Sequence, residues 1–362
     1  MCTVPVSVGL DYHQESVQVC VLDSSGKILT NRSCPNDSRA IRTLVERCGR
    51  SVTAALEACC GAADLAHELS DLPGWSVSLA HPGYVARIKQ SPDKSDYSDA
   101  RLLADLVRVK YLPKVWLAPQ YIRELRQMVR FRQQQVNERR NVKLRILALL
   151  REHRIAKAPV NAWTKRWRVW LQAVQLNDHS RWILNRHLQR LDALTDEIKV
   201  TEQRLGDMVA DDPVVQKLQT FSGVGLITAS TLRAEIGRFD RFRNGKQLAR
   251  FCGLSPCNAS SGQRIADAGL IRAGQPQLRA TLIQMAHVLM RHEERWMRLA
   301  AQMTLRGKPL SVIAAAVANR WVRWLYHQSE VQEVAAESAG PWGRNQRPQV
   351  PPPAPHLLPS SL

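Results

Sequence analysis

The stretch VPVSVGLDYHQESVQVCVLDSSGKILTNRS, Val4 to Ser33, decides the fold of the N-terminal part of the chain. Val6, Val8 and Leu10 alternate with smaller or polar residues, as do Val17, Val19 and Val21. A period of two is the signature of strands that bury one face. Ser24-Ser-Gly-Lys27 supplies a turn, and Ile28–Ser33 follows as a third strand, giving a three-strand antiparallel meander. Working outward, 36–48 reads as a helix with Ile41, Leu44 and Val45 on one side. The segment 51–59 is a fourth strand, 61–70 a second helix and 75–82 a fifth strand. A third helix begins near Asp96, so the order is β-β-β-α-β-α-β-α, an α/β domain over 1–115.

The remaining chain changes character. Residues 116–210 read as all-helical and polar. Between Tyr121 and Arg154 ten Lys and Arg face three Glu, and Leu125, Met128, Val129, Val136, Leu144, Leu147 and Leu150 form an interrupted apolar stripe. A second long segment, 181–209, carries Leu184, Leu188, Leu191, Leu194, Ile198 and Leu205 at helical spacing. Two such helices suggest an antiparallel coiled-coil arm. Trp163, Trp167 and Trp170 lie between them at helical spacing and read as a packing ridge rather than a stacking platform for bases. Residues 211–328 are helical again but broken by glycine turns, a mainly α C-terminal domain. In 329–362 apolar residues thin out and seven of the 19 prolines gather between Pro341 and Pro359, a composition expected of a disordered tail.

Charge narrows the partner. The 362 residues hold 51 Lys and Arg against 32 Asp and Glu, a net charge of +19. That excess points to a polyanion, nucleic acid or an anionic membrane surface. No apolar run approaches the roughly 18 residues of a membrane span, and the N-terminus carries no signal-peptide pattern. Nucleic acid is the leading class. Eight cysteines without a CxxC pair fit neither a zinc ribbon nor a redox dithiol. Cys20 and Cys59 read as small core residues in a reducing, cytoplasmic setting.

Three constellations carry chemistry. Asp11 ends the first strand, Glu57 sits in the apolar fourth, and Asp96 and Asp99 open the third helix. A meander with an acid on its first strand is what a ribonuclease-H-like core requires, and in that core the first and fourth strands are neighbours. A carboxylate in an apolar strand is costly unless paired or metal-bound. Taken alone, Asp96 reads as a helix N-cap and Asp99 as a first-turn acid favoured by the helix dipole. Taken together, the four acids suit one or two Mg²⁺ ions, with Mn²⁺ a possible substitute. The second constellation, Leu218 to Gly237, has Gly223-Val224-Gly225 as a tight turn between helices. It reads either as a helix-hairpin-helix that holds a DNA phosphate or as a plain helix corner. The third, Phe251 to Arg279, has Ser260-Ser261-Gly262 near Arg264, Arg272 and Arg279. A serine there is a candidate nucleophile toward phosphate, with arginines on the developing charge. In the long basic helix, Arg139, Arg140 and Lys143 are candidate nucleic-acid contacts.

These ordered motifs resemble the DEDD-type transposases of the insertion-sequence-110 family, related to the invertase Piv. They are VGLDYHQESVQVCVLD, ALEACCG, DKSDYSDARLLADL, SGVGLITASTLRAEIGRFDRF and GLSPCNASSGQ with GLIRAGQPQLR, together covering about residues 4–325. The resemblance implies a RuvC-like N-terminal domain whose Asp11, Glu57, Asp96 and Asp99 bind Mg²⁺. It implies a C-terminal transposase domain with a serine nucleophile, Ser261 or alternatively Ser260, that forms a transient phosphoserine. It also implies a homo-dimer or tetramer assembled through the arm, double-stranded DNA at the element's ends and at the target, and a structured noncoding guide RNA. The setting is then the bacterial cytoplasm, at the nucleoid. Gln275 and the sequence QRIADAG after the serine step depart from the family pattern. Two other readings stay open: a metal-dependent nuclease of branched DNA that uses only the acids, and an inactive nucleic-acid-binding protein.

Overall fold

A computed structural model describes residues 5–89, 95–258, 267–271 and 274–328. The chain divides into two compact units, with the boundary between Pro119 and Gln120. The first contains β1 (Pro5–Tyr12), β2 (Ser16–Leu22), β3 (Ile28–Pro35), α1 (Ser38–Glu46), β4 (Ser51–Glu57), α2 (Ala62–Ser70), β5 (Trp75–Ala80), α3 (Pro82–Ile88), α4 (Asp96–Arg108) and β6 (Lys114–Val115).

The strands make one mixed sheet of order β3-β2-β1-β4-β5-β6. The alternation read in the sequence produces the antiparallel meander, with Leu10 opposite Val19. β4 then lies parallel to β1 on its other side, Leu10 opposite Leu56. This mixed α/β arrangement is consistent with the ribonuclease-H-like fold. Val6, Val8, Leu10, Val17, Val19, Val52, Ala54 and Leu56 send their side chains to one face, where Ile41, Val45, Leu65 and Leu69 of α1 and α2 cover them. Each such large side chain contributes roughly 1.5–3 kcal/mol on burial. The opposite face carries the alternate residues. There Cys20 and Leu22 pack on Ala100 and Ala104 of α4, and Ala55 and Ala80 pack against Leu103 and Leu106.

Gly9 lets α4 come this close. A β-carbon at Gly9 would stand 1.9 Å from the Ala100 carbonyl oxygen and 2.4 Å from the Ala104 nitrogen. The small residues on α4 and the missing side chain on β1 together bring the helix backbone onto the strand.

Several sequence expectations are corrected. The N-cap of α4 is Ser95, whose hydroxyl accepts from the Ser98 N–H, so Asp96 is already inside the helix and is not spent on capping. β4 ends at Glu57, and Cys59, expected in the core, is exposed. The chain leaves the sheet after Ala58 bonds Ala80 and turns at Gly61, whose φ is +85°. Cys20 is fully buried as expected. Two elements were not foreseen, α3 and β6.

The second unit contains α5 (Gln120–Glu152), α6 (Lys165–Ala173), α7 (Asp178–Val209), α8 (Pro213–Gln219), α9 (Leu226–Ile236), α10 (Gly245–Phe251), β7 (Pro256–Asn258), β8 (Asp267–Leu270), α11 (Pro276–His292), α12 (Glu294–Leu305) and α13 (Leu310–Tyr326). Helices α5 and α7 run antiparallel, as the bonds Arg132–Glu202, Arg190–Glu138 and His153–Ser180 require. Their ends are built into separate cores. Leu125, Val129, Leu205 and Val209 join the large core of α8 to α13. Val142, Ile146, Leu150, Leu184 and Leu191 join Trp167 and Leu171 of α6. Trp167 is buried between Trp163 and Trp170, with ring centroids at 4.7 and 6.3 Å, so the tryptophan row is a packing ridge. Among the described residues no helix is long and apolar enough to cross a membrane.

Candidate functional site

Strand parity places the acids. On β1, Asp11 shares the face of Gly9, and on β4, Glu57 shares the face of Ala55, because side chains alternate with period two. Both therefore project to the face that α4 crosses. The register pairs Leu10 with Leu56, so Asp11 and Glu57 lie one step further along neighbouring strands. Asp96 and Asp99 stand in the first turn of α4, near this end of β1. A short polar chain fixes that turn: Gln18 donates to Asn31 at 2.7 Å, and Asn31 donates to the Tyr97 carbonyl at 3.0 Å. Gln18 is opposite Asp11 in the register.

Asp11 and Asp96 meet through His13. Its Nε2 lies 3.3 Å from an oxygen of each. One ligand atom from each of the three residues falls within 4.8 Å of the others, the spacing of a candidate metal group. Burial pushes the Asp11 carboxyl above the usual carboxylate range. His13 pulls it down, and the charges of Asp96 and Asp99 push it further up. Converging negative charge of this kind is what a cation relieves. Carboxylate oxygens are the donors a hard divalent ion takes, and imidazole nitrogen is accepted more readily by Mn²⁺ than by Mg²⁺. The group can bind a divalent metal.

Glu57 and Asp99 stand outside that close trio. Asp99 is bound by the Lys89 ammonium, which follows α3. Partial desolvation raises the pKa of the Cys59 thiol, and the charges of Glu57 and Asp11 add to the shift. Sequence reading missed His13 and Lys89. The signal for His13 was present: in Asp11-Tyr-His13 the first and third residues of an extended chain point the same way. Lys89 carried none, because its pairing with Asp99 crosses from one helix to another.

In the second unit, Gly223 sits in the α8–α9 turn with φ +76°, where a β-carbon would come within 3.0 Å of Leu289. Gly225 is the N-cap of α9 and faces open space. Arg279 donates to the Ile271 carbonyl at 2.9 Å. Lys143 lies 5.0 Å from the Trp163 ring centre. Arg140 is exposed and Arg139 half-buried on α5. Ser260, Ser261, Arg264 and Arg272 lie outside the described residues. The flanking strands β7 and β8 pair antiparallel, Asn258 with Asp267.

Comparison with known proteins identifies two family profiles along the chain. The profile of a DEDD transposase of the IS110 group matches residues 8–155, and that of the transposase IS116/IS110/IS902 family matches residues 215–302. Together they take in well over half of the chain. The chain is 29% identical over 272 residues to the transposase for insertion sequence element IS1328 of Yersinia enterocolitica, covering 74% of this chain and 81% of that one. It is 25% identical over 328 residues to the transposase for insertion sequence element IS1111A of Coxiella burnetii, covering 88% of each. A probable family 20 transposase of Pseudomonas aeruginosa is 26% identical over 339 residues, 88% of this chain and 95% of that one. The acids on two adjacent strands and a crossing helix, and the two matched profiles in the same order, place the chain in the IS110 family of DEDD transposases, enzymes that cleave and rejoin DNA.

Proposed function

We propose that this transposase cuts and rejoins DNA with two sets of residues: a metal-binding acidic group in the first unit and a serine nucleophile in the second. The observation that carries the first half is the projection of Asp11 and Glu57 to the face crossed by α4, with Asp96 meeting Asp11 at His13. Asp11, Glu57 and Asp96, with Asp99 on the same helix turn, hold Mg²⁺, or Mn²⁺ in its place. A divalent ion bound there stabilises charge on the phosphate oxygens during strand transfer. Asp11 is the fixed member, being half-buried on a central strand, while Asp96 is exposed and free to adjust to a DNA phosphate. Gln18 and Asn31 are positioning residues that hold the first turn of α4.

Ser261, with Ser260 as the alternative, attacks the phosphorus of the scissile phosphodiester. The Oγ–P bond forms as the serine hydroxyl gives up its proton, the bond from phosphorus to the deoxyribose oxygen breaks, and that oxygen takes up a proton to leave as a hydroxyl. Rejoining reverses the exchange, with a DNA hydroxyl displacing the serine. Arg264, Arg272 and Arg279 supply positive charge, and the Gly223–Gly225 turn holds backbone phosphate. Arg139, Arg140 and Lys143 contribute to a basic surface for double-stranded DNA and for a structured guide RNA. The acids of one subunit act with the serine of another, in a dimer or tetramer assembled through α5 and α7. The family assignment, the net charge of +19 and the paired strands flanking the serine segment support this reading.

A plasmid recombination assay with the native flanking DNA tests it. Wild type recombines, while Asp11→Asn and one of Ser260→Ala and Ser261→Ala do not. If both serine variants recombine while Asp11→Asn is dead, the serine step is wrong and a nuclease using only the acids replaces it.

A further inference from the structure

Helix α3 is short, but both of its ends are fixed beside the acids. His81, its N-cap, directly follows Ala80, which is opposite Glu57 in the β4–β5 register. The His81 N–H bonds the Pro113 carbonyl at 2.8 Å. At the other end, the Lys89 ammonium donates to Asp99 of α4. Between them Val85 is buried with Ala55, Ala80 and Leu103, so α3 lies on the sheet face that α4 crosses. The outer side of α3 exposes His81, Tyr84 and Arg87. Tyr84 is 51% exposed, yet its ring is supported on two sides. The His81 ring meets it in a T-shaped contact with centroids 4.8 Å apart, and the Arg87 guanidinium lies 5.9 Å from its centre. No acid occurs between Pro82 and Ile88. An exposed ring already supported by its neighbours loses little side-chain freedom when a partner stacks on it. Every nucleobase has a π-face to offer such a ring, and a neighbouring guanidinium suits the phosphate of the same nucleotide.

We propose that Tyr84 is a stacking platform for a DNA base next to the scissile phosphate, with Arg87 on the phosphate of that nucleotide. This rests on the reading above that the acids act on the scissile phosphate. Joining a cut strand to a new partner requires the bases at the cut to leave their old pairs. A base released in this way is stabilised by stacking on an aromatic side chain. Tyr84 stands on the face where the acids gather, one helical turn beyond the end of the strand that pairs with β4. It binds and orients the DNA there and takes no part in the bond changes.

Single-turnover cleavage of labelled element-end DNA by the full-length protein, with the fluorescent base 2-aminopurine placed on either side of the cut, tests this. At sub-saturating protein, Tyr84→Ala lowers the cleavage rate roughly 5- to 150-fold, the share of one stacked base. Tyr84→Phe keeps the ring and stays within about threefold of wild type. The 2-aminopurine beside the cut remains quenched when wild type binds and brightens when Tyr84→Ala binds. A tyrosine with only a structural role gives no such difference. Because Tyr84 is exposed, Tyr84→Ala melts like wild type, which circular dichroism checks. Cleavage by Tyr84→Ala at the wild-type rate, or equal fluorescence with the two proteins, would overturn the proposal. So would a Tyr84→Phe variant as slow as Tyr84→Ala, since the hydroxyl and not the ring face would then matter. Asp11→Asn in the same assay reads the acids separately. If it cleaves like wild type, the reading of the acids fails; if it is dead while Tyr84→Ala is fully active, only the stacking fails.

Discussion

Replacing Gly9 by alanine separates the packing of α4 from its chemistry. The added β-carbon would stand 1.9 Å from the Ala100 oxygen and 2.4 Å from the Ala104 nitrogen, where contacts below 3.0 Å are essentially never found. Both neighbours are backbone, so no side chain can swing aside. The helix must retreat by about 1 Å or more, since packed interiors leave no slack to absorb the overlap. Overpacking of this kind costs typically 1–3 kcal/mol, and a clash of backbone with strand belongs at the upper end, about 3 kcal/mol. The same retreat carries Asp96 and Asp99 away from Asp11, and a displacement of about 1 Å at a reacting centre lowers rates roughly 100-fold. Urea unfolding of the full-length chain followed by circular dichroism reads the first effect, and the rate of strand cleavage at the element's end reads the second. Gly206→Ala in α7 is the control. Its β-carbon would meet only a Leu226 methyl at 3.5 Å, so it leaves stability unchanged or raises it by up to about 1 kcal/mol. If Gly9→Ala unfolds and cleaves like wild type, the close approach of α4 does not hold the acids in place.

Other outcomes are expected. Asp212 is buried, accepts from Val214 and Val215 at the start of α8, and binds Arg233 Nε at 2.8 Å. Asp212→Ala destabilises the second unit by about 3–5 kcal/mol in urea, because a buried guanidinium loses its counter-charge, and Asp212→Asn, which keeps the cap, loses less. Gln135 of α5 is buried, and its Oε1 accepts no hydrogen bond from the described residues. Gln135→Leu therefore raises the urea midpoint, by up to the roughly 1–3 kcal/mol that such an acceptor costs; a lower midpoint shows that the amide has a partner. Trp167→Ala lowers the melting stability by about 3–5 kcal/mol while leaving DNA affinity per folded molecule unchanged, as a packing ridge requires and a base-stacking platform forbids. Asn31→Ala frees the first turn of α4 and slows cleavage with little change in DNA binding, which a gel-shift assay run beside the cleavage assay resolves.

The parts of the fold that follow from periodicity were legible. Val6, Val8, Leu10 and Val17, Val19, Val21 give the meander directly, because alternation is the burial pattern itself. Glu57 stood out as a carboxylate in an apolar strand, whereas Asp96 and Asp99 taken alone read as ordinary acids at a helix start. Short elements were not legible: two-residue β6 has no period, and α3 begins at Pro82 directly after β5, which reads as a strand end. The cap of α4 was misread because Ser95 and Asp96 are both good capping residues, and only the tertiary path selects the serine. Lys89 lay beyond the sequence for another reason: its role depends on a contact with Asp99 of α4 that leaves no local pattern. His13, by contrast, stands two residues from Asp11 on an extended chain, and its signal was there to be read. Arg279 shows the converse, since a basic residue read as a DNA contact spends a donor on the Ile271 carbonyl.

The most direct test is strand cleavage of labelled element-end DNA by the full-length protein in Mg²⁺, with and without EDTA, for wild type, Asp11→Asn and Asp96→Asn. The account predicts cleavage by wild type that EDTA abolishes and Mn²⁺ restores, and background cleavage by both variants, which stay folded. Cleavage that survives EDTA, or that persists in Asp11→Asn, would contradict the claim that the acids on β1 and α4 drive the reaction.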